Sequence, residues 1–271
     1  MGVETMIHAG VVGIAGRMGS LLAQGIIDAG DMKLAGALEA QGHPAIGRDA
    51  GTVVGRDPQK VEVSSAFADA FASCDVIIDF TIPEVTLKTA RYAQAEAKQL
   101  VIGTTGIDED QLPVIRRCAQ SVPVVMAPNM SIGVNVMFKV ASIITRLLGE
   151  DYDIEIFEAH HRLKKDAPSG TALGLAQSIA GSRGVRLEDH ARYERHGMIG
   201  QRHEGEIGIQ TIRAGDIVGD HTVLYAGNNE RIELKHQAHS RQNFAGGALR
   251  AVRWLKGREP GLYSMRDVLG L

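Results

Sequence analysis

Two adjacent histidines, a nearby lysine and a Ser-Gly-Thr step lie within the fourteen residues 158–171. An imidazole ring can give or take a proton near neutral pH, and a lysine ammonium group can hold an anion or share in that transfer. The first backbone N–H groups of a helix have no partner inside the helix and point at any anion placed there. The stretch therefore favours proton transfer to an acidic small molecule.

The elements on either side of this stretch position its groups. Residues 153–158 alternate between polar and apolar, which is the period of a strand with one buried face, and residues 171–179 have the spacing of a helix. Neighbouring strand residues face opposite sides, so His160 and His161 cannot share one role unless the strand ends there. One is then the better catalytic candidate, and the other binds or packs. An ordinary helix cap with solvent-exposed lysines remains the alternative.

A second pattern, near the start of the chain, is typical of nucleotide binding. A Val- and Ile-rich strand over 7–14 leads through a glycine turn into a helix over 21–27, and a second strand, 33–38, ends at Glu39. Glycines let the backbone approach a pyrophosphate at the helix N-terminus, and the acid accepts the ribose hydroxyls. The turn is Gly-x-x-Gly-x-x-Gly rather than Gly-x-Gly-x-x-Gly, so a tight structural turn is the alternative. Its residues are Gly13, Ile14, Ala15, Gly16, Arg17, Met18 and Gly19.

Apolar strands and helices then alternate. Strands are predicted over 61–63, 76–80, 100–102 and 122–126, and the strand over 122–126 is the last of this series. A loop is predicted over 41–57. Ser64 or Ser65 is predicted to cap the helix that follows the strand over 61–63. Ligands of such parallel sheets bind at the carboxyl ends of the strands. Those ends carry Phe80, Gly103, Thr104, Thr105, Ala127, Pro128, Asn129 and Met130. Each end could equally be an ordinary strand-to-helix turn.

The composition changes at residue 131. A long apolar helix through Leu148 is predicted, then an irregular segment over 182–201, three antiparallel strands with a hairpin turn at 227–229, a helix through Leu255 and a short tail. The predicted fold is α/β: a doubly wound parallel Rossmann-type domain, 1–130 and 241–271, plus an α+β domain, 131–240, with an open, mostly antiparallel sheet. The uncovered sheet face predicts a partner chain, and the two crossings predict a hinge that closes over ligands.

Composition limits the possible functions. The 271 residues are 44% hydrophobic and 23% charged, with a net charge of −3, which gives no electrostatic argument for nucleic acid. Two cysteines are too few for a disulfide framework and favour a reducing cytoplasm. No apolar run approaches the ~20 residues of a membrane span, and Met1–Met6 lacks the features of a secretion signal. The scattered histidines lack the ligand pairing of a zinc hydrolase.

Residues 158–172 resemble the signature of the dihydrodipicolinate reductase family, E-[AL]-H-H-x-x-K-x-D-[AS]-P-S-G-T-A. The G-R-M-G turn and the G-T-T-G and A-x-N-[FM]-S-x-G-V-N segments are similar as well, so the resemblance runs the length of the chain. It implies reduction of 4-hydroxy-tetrahydrodipicolinate to tetrahydrodipicolinate with NAD(P)H in lysine and diaminopimelate biosynthesis, in a homotetramer without a metal. It also implies that His160 is the general acid and that Lys164 shares the proton transfer. The implied carboxylate-binding residues are His161, Ser169, Gly170 and Thr171.

This chain departs from many members of that family next to the ribose acid. Ala40 follows Glu39, whereas many relatives have a basic residue there to meet the 2′-phosphate of NADPH. We therefore expect use of both cofactors, with NADH binding at least as well as NADPH. Another aspartate-pathway dehydrogenase and a non-catalytic nicotinamide sensor are the alternatives, although a sensor should lack the acid and the anion loop.

Overall fold

The structure is a computed structural model that describes residues 6–271. The expectation that Met1–Met6 is not a secretion signal falls mostly on residues 1–5, which lie outside the described residues. The strands are β1 Ile7–Val12, β2 Met32–Leu38, β3 Val76–Asp79, β4 Gln99–Ile102, β5 Pro123–Met126, β6 Asp153–His160, β7 Ala191–Arg192, β8 Ile207–Arg213, β9 Asp220–Ala226, β10 Arg231–Gln237 and β11 Gly261–Tyr263. The helices are α1 Arg17–Ile27, α2 Ala50–Val53, α3 Phe67–Phe71, α4 Pro83–Ala95, α5 Leu112–Ala119, α6 Ile132–Leu148, α7 Gly170–Arg183, α8 Leu187–His190, α9 Gln242–Leu255 and α10 Met265–Leu269. None of these helices is long and apolar enough to cross a bilayer.

The first compact unit runs to Ser131 and resumes over Gln242–Gly270. Its six strands form one parallel sheet in the order β11-β5-β4-β3-β1-β2. Two apolar clusters cover this sheet, one containing Val11 and Ile78 and the other Val12 and Ile77. Because adjacent strand residues face opposite sides, the sheet is buried on both faces, and the predicted α/β class is confirmed.

The prediction that 122–126 is the last strand of the parallel series and that 263–271 is a tail without regular structure is wrong. Strand β11 pairs in parallel with β5, and α10 follows it with a capping box between Ser264 and Asp267. Three residues are too short to show a strand period, so the position of β11 depends on a pairing partner distant in sequence.

Three smaller expectations in this unit are also wrong. The predicted loop over 41–57 contains α2, whose N-cap Asp49 accepts a hydrogen bond from Thr52 N–H at 3.1 Å. Within the predicted strand over 61–63, only Glu62 forms a bridge, an isolated one to Asp49. Neither Ser64 nor Ser65 caps α3, because its N-cap is Ala66. The Ser64 hydroxyl instead accepts a hydrogen bond from Ala66 N–H at 3.0 Å.

The second compact unit spans Ile132–Arg241. Its sheet has the order β10-β9-β6-β8-β7, with β6 at the centre. Strand β9 is antiparallel to β6 and β10, whereas β8 runs parallel to β6 and β7. The sheet is therefore mixed rather than mostly antiparallel, and the predicted irregular segment supplies α8 and β7. The hairpin turn is confirmed, because Gly227 N–H donates to the Glu230 carbonyl at 2.9 Å.

Helices α6 and α7 pack on one face of this sheet, around Ile154, Ile156 and Val223. The side chains of the other face alternate with these along the strands. They include Phe157 and Ile212, which are 38% and 50% exposed in the single chain. The core face also carries the polar cluster described next, at the carboxyl end of β6.

Candidate active site

The candidate acid lies at the end of the central strand of the second unit. His160 is the last residue of β6 and is 9% exposed, while Ala214 N–H donates to its carbonyl at 2.9 Å. Because β6 ends at His160, the side chain of His161 does not have to point to the opposite face of the sheet. His160 and Glu158 are two residues apart on the strand and therefore share its core face.

Glu158 is the centre of this cluster. It is only 1% exposed, and its carboxylate lies 2.6 Å from His160 Nδ1. Both Nη atoms of Arg213 donate to it, at 2.8 and 2.9 Å, as does Ser169 N–H at 2.9 Å. Burial alone would raise the pKa of Glu158, but the hydrogen bonds from His160 and Arg213 outweigh burial and hold that pKa well below its ordinary value. The carboxylate is therefore ionised in the folded protein.

Arg213 also connects this cluster to the loop that follows the strand. Its Nη2 donates to the Asp166 carbonyl at 2.7 Å, and Lys164 Nζ donates to the Asp166 carboxylate at 2.8 Å. The pKa of Arg213 is raised by its hydrogen bonds to Glu158. Lys164 keeps 20% of its side chain exposed. The arginine thus holds the loop in place while the lysine stays accessible.

His221 supports the same cluster from strand β9. Its ring lies edge-on to His160, with centroids 5.2 Å apart, and its Nε2 is 3.1 Å from Ser169 Oγ. Burial lowers the pKa of His221 to about 4, so this ring is neutral near neutral pH.

Ser169, which is predicted to bind a substrate carboxylate, lies at the start of α7. It is the N-cap of α7: its hydroxyl accepts Ala172 N–H at 3.1 Å, and its own N–H is bonded to Glu158. It is 2% exposed in the single chain and stabilises the start of the helix. Gly170 and Thr171 form the first turn of α7, where backbone N–H groups point away from the helix.

His161 follows the strand end and is partly buried. Its Nδ1 is buried without a hydrogen-bond partner in the structure. His161, Lys164 and the first turn of α7 all carry hydrogen-bond donors suited to anions, and all follow His160 closely in the sequence. The chemistry of this set fits proton donation to a bound carboxylate-bearing molecule.

The glycine turn of the first unit has the close packing that the sequence predicted. Gly13 has a φ of +68°, in the left-handed region that favours glycine. A Cβ at Gly19 would lie 2.0 Å from the Gly13 carbonyl oxygen, so only glycine fits there. Glu39 reaches this turn, because its carboxylate accepts the N–H groups of Ala15 and Ala40, each at 3.0 Å. Acid and turn therefore lie side by side.

This turn fits a dinucleotide. Ala15, Gly16 and Arg17 are exposed, and the first turn of α1 has no acidic residue to repel a pyrophosphate. The nearby carboxylate of Glu39 is the acceptor that a ribose diol needs.

The carboxyl ends of β3 and β4 are linked by a buried carboxylate. Asp79, which is 0% exposed, accepts Thr81 N–H at 2.9 Å and hydroxyl hydrogen bonds from Thr81 and Thr89, both at 2.6 Å. Thr104 Oγ1 accepts the same Thr81 N–H at 3.1 Å. A Cβ at Gly103 would lie 2.2 Å from the Phe80 ring. Of the predicted cofactor residues at these two strand ends, Phe80 and Gly103 pack together and Thr104 joins the hydrogen-bonded group of Asp79, whereas Thr105 is exposed.

The strand end after β5 completes this edge of the sheet. Ala127 N–H donates to the Ile102 carbonyl at 3.1 Å, and Asn129 Oδ1 accepts Ser131 N–H at 2.8 Å. Pro128 is exposed, whereas Met130 is 1% exposed and packs in the core. Within residues 6–271, no three His, Cys, Asp or Glu side chains gather as they would around a metal ion.

Three residues of the acid cluster were missing from the sequence-based site: Glu158, Arg213 and His221. The spacing of Glu158 and His160 on a strand was a usable signal, because it puts both on one face. Arg213 could not be predicted from local spacing, because it lies opposite His160 only through the parallel pairing of β6 with β8.

The chain matches known proteins over nearly its full length. The family described as dihydrodipicolinate reductase, N-terminus, matches residues 7–130, and its C-terminus counterpart matches residues 133–269. The 4-hydroxy-tetrahydrodipicolinate reductase of Syntrophobacter fumaroxidans is 52% identical over 98% of this chain and 100% of that protein. The protein of the same name from Syntrophus aciditrophicus is 50% identical over 98% and 99%. A solved structure, dipicolinate-bound dihydrodipicolinate reductase from Paenisporosarcina sp. TG-14, has a TM-score of 0.74 at 26% identity and covers 97% of this chain and 99% of that chain.

Proposed function

Because the chain belongs to the dihydrodipicolinate reductase family, we propose that it reduces 4-hydroxy-tetrahydrodipicolinate to tetrahydrodipicolinate with NAD(P)H in lysine and diaminopimelate biosynthesis. In sum, the substrate gains one hydride and one proton and loses its hydroxyl as water. The observation that carries the proposal is His160 at the end of β6, which is held by the buried carboxylate of Glu158 and is followed in the chain by the N-terminus of α7.

The protein's own residues supply the proton and hold the substrate. His160 donates the proton to the ring, and Lys164 stabilises the charge there and shares in the transfer. His161 and the backbone N–H groups of Gly170 and Thr171 hold the two carboxylates. Ser169 caps α7 and so aims those N–H groups. The relative from Paenisporosarcina is described with dipicolinate, a planar ring with two carboxylates, which supports this substrate class.

The nicotinamide cofactor supplies the hydride when bound. The residues that would hold it are Gly13, Ile14, Ala15, Gly16, Arg17, Met18, Gly19, Glu39, Phe80, Gly103, Thr104, Thr105, Ala127, Pro128, Asn129 and Met130. Glu39 would accept hydrogen bonds from the ribose hydroxyls. Ala40 offers no cation to a 2′-phosphate, so NADH binds at least as tightly as NADPH.

A coupled assay tests the reaction. The purified protein should oxidise NADH only when the product of condensing pyruvate with aspartate semialdehyde is supplied. Aspartate semialdehyde alone, as the matched control, should leave NADH unoxidised. Turnover of aspartate semialdehyde by itself would assign the chain to another dehydrogenase of that pathway. Nucleotide binding without turnover of either compound would make it a sensor.

Two further features support a homotetrameric assembly and a cytoplasmic location. A homotetramer would cover the sheet face that carries Phe157 and Ile212, which is uncovered in the single chain. Sedimentation at micromolar concentration would show a monomer if this is wrong. Cys74 and Cys118 are buried free thiols, and burial raises the pKa of Cys74 to about 12 and that of Cys118 to about 11, in keeping with a structural role in the cytoplasm.

A further inference from the structure

We propose that Glu158, locked by Arg213, is a positioning residue that keeps a hydrogen on His160 Nδ1 and thereby makes Nε2 the nitrogen that gives its proton to the substrate. This inference rests on the proposed function, because it takes His160 as the acid. It adds a residue on the opposite side of the ring from the substrate, with a role distinct from binding.

The geometry leaves the carboxylate little freedom. One oxygen of Glu158, Oε2, faces His160 Nδ1 at 2.6 Å and Arg213 Nη1 at 2.8 Å. The other, Oε1, receives Ser169 N–H at 2.9 Å, Arg213 Nη2 at 2.9 Å and Thr211 Oγ1 at 3.3 Å. An ionised carboxylate only accepts hydrogen bonds. The contact at Nδ1 is therefore satisfied only if His160 donates.

The consequence for proton transfer concerns the two forms of the ring. In the imidazolium, both nitrogens carry hydrogen, and Nδ1–H donates to Glu158. After the proton leaves, the neutral ring keeps its hydrogen on Nδ1, so the nitrogen that lost it is Nε2. Atom Nε2 lies beside Gly219, where a Cβ would be 3.1 Å away. The absence of a side chain at Gly219 leaves space next to the donating atom.

Arg213 holds the Glu158 carboxylate in one orientation. Its two Nη atoms meet the two oxygens of Glu158, and this paired arrangement fixes the plane of the carboxylate as well as its charge. The same guanidinium holds the Asp166 carbonyl. The loop that carries Lys164 and the orientation of His160 are therefore set by one side chain.

Replacement of Glu158 by Gln tests this role with the shape preserved. The amide oxygen takes the Oε1 position, which has three donors, and keeps the hydrogen bond from Arg213 Nη2. The NH2 group takes the Oε2 position, where it donates to His160 Nδ1 and gives up the hydrogen bond from Arg213 Nη1. The neutral ring then carries its hydrogen on Nε2, and the imidazolium is disfavoured. We expect kcat to fall by about 10²–10⁴-fold, the range for loss of a positioned acid or of its correct tautomer. The dissociation constants of NADH and of dipicolinate should stay unchanged.

Glu155→Gln is the matched control. Glu155 lies on the same strand, is 17% exposed and pairs with Arg195 at 2.8 Å and Arg202 at 3.3 Å, remote from His160 in the hydrogen-bond network. It should lose stability through the same chemical change without the fall in kcat. An equal fall in kcat in both variants, or a Glu158→Gln enzyme with wild-type kcat, would overturn the proposal.

A measurement on the unmodified protein keeps the proposal testable if Glu158→Gln fails to fold. Ring-nitrogen ¹⁵N NMR of histidine-labelled protein at alkaline pH, with His160 assigned from a His160→Ala variant, reports which nitrogen carries hydrogen. Hydrogen on Nδ1 is the expected result, and hydrogen on Nε2 with a bare Nδ1 refutes it. Because this readout needs no turnover, it separates failure of the positioning role from failure of the proposed reaction, which the assay of the wild type decides.

Discussion

The buried carboxylate of Asp79 gives a prediction whose size can be worked out from its bonds. Substitution by Asn keeps the shape and removes the charge. The amide oxygen can replace Oδ1, which receives two donors from Thr81, and the amide nitrogen then faces Thr89. The Thr89 hydroxyl can donate to the Val85 carbonyl, 3.1 Å away, while its oxygen accepts a hydrogen bond from the amide nitrogen.

Three hydrogen bonds therefore survive but lose their charge assistance. A bond to a charged group contributes about 1.5–3 kcal/mol and a neutral one about 0.5–1.5, so the loss is about 1 kcal/mol for each. A neutral amide is easier to bury than a carboxylate, which offsets part of this sum. We expect the free energy of unfolding of the first unit to fall by about 1–3 kcal/mol. Because Asp79 holds Thr81 and, through it, Thr104, NADH affinity should fall as well, roughly fivefold for 1 kcal/mol of lost positioning.

Urea unfolding followed by Trp254 fluorescence measures the stability of this unit, since Trp254 is the only tryptophan of the chain and lies in α9. Asp75→Asn is the control: this carboxylate precedes the same strand but is 56% exposed, so its loss should cost about 0.5 kcal/mol or less. Equal effects of the two substitutions would refute the reasoning. A destabilised Asp79→Asn protein with wild-type NADH affinity would show that the network does not position the cofactor residues.

Three further predictions concern the acid, its neighbour and the cofactor. His160→Ala and Lys164→Ala should each lower kcat by about 10²–10⁴-fold with NADH affinity intact, and weaker nucleotide binding with normal turnover would contradict the assignment. His221 has a pKa of about 4 in the folded protein against an ordinary 6.5, so its contribution to stability is complete above pH 6.5 and is lost as pH falls towards 4. Over that interval, calorimetry should show the wild type losing roughly 2–3 kcal/mol more free energy of unfolding than His221→Gln. Parallel curves of stability against pH for the two proteins would refute this. Ala40→Arg should shift preference towards NADPH by about 1–3 kcal/mol while Ala40→Met does not, and a strong wild-type preference for NADPH in the same titrations would show that Arg17 or a loop arginine already supplies the cation.

The sequence predicted those features that depend on neighbours along the chain. The glycine turn, the strand before the histidine pair and the start of α7 all show in local spacing, and each lies within a few residues of its expected bounds. Strand β11 and the direction of β8 were missed, because both depend on pairing between distant segments. The same limit applied to the site. Arg213 faces His160 across a parallel pair of strands, and an antiparallel arrangement would have brought a different residue there.

The cost of burying charge gives an independent reason to regard the Glu158 cluster as functional. A buried ion pair is seldom more stabilising than apolar side chains of the same volume, whereas removing one partner leaves an unpaired charge. Core residues such as Ile154 and Ile156, on the same face of β6, show that this sheet could have been completed with aliphatic side chains alone. Glu158 instead has a fully buried side chain with its charge retained. A buried charge that contacts His160 close to the N-terminus of α7 is better explained by control of a proton than by stability of the fold.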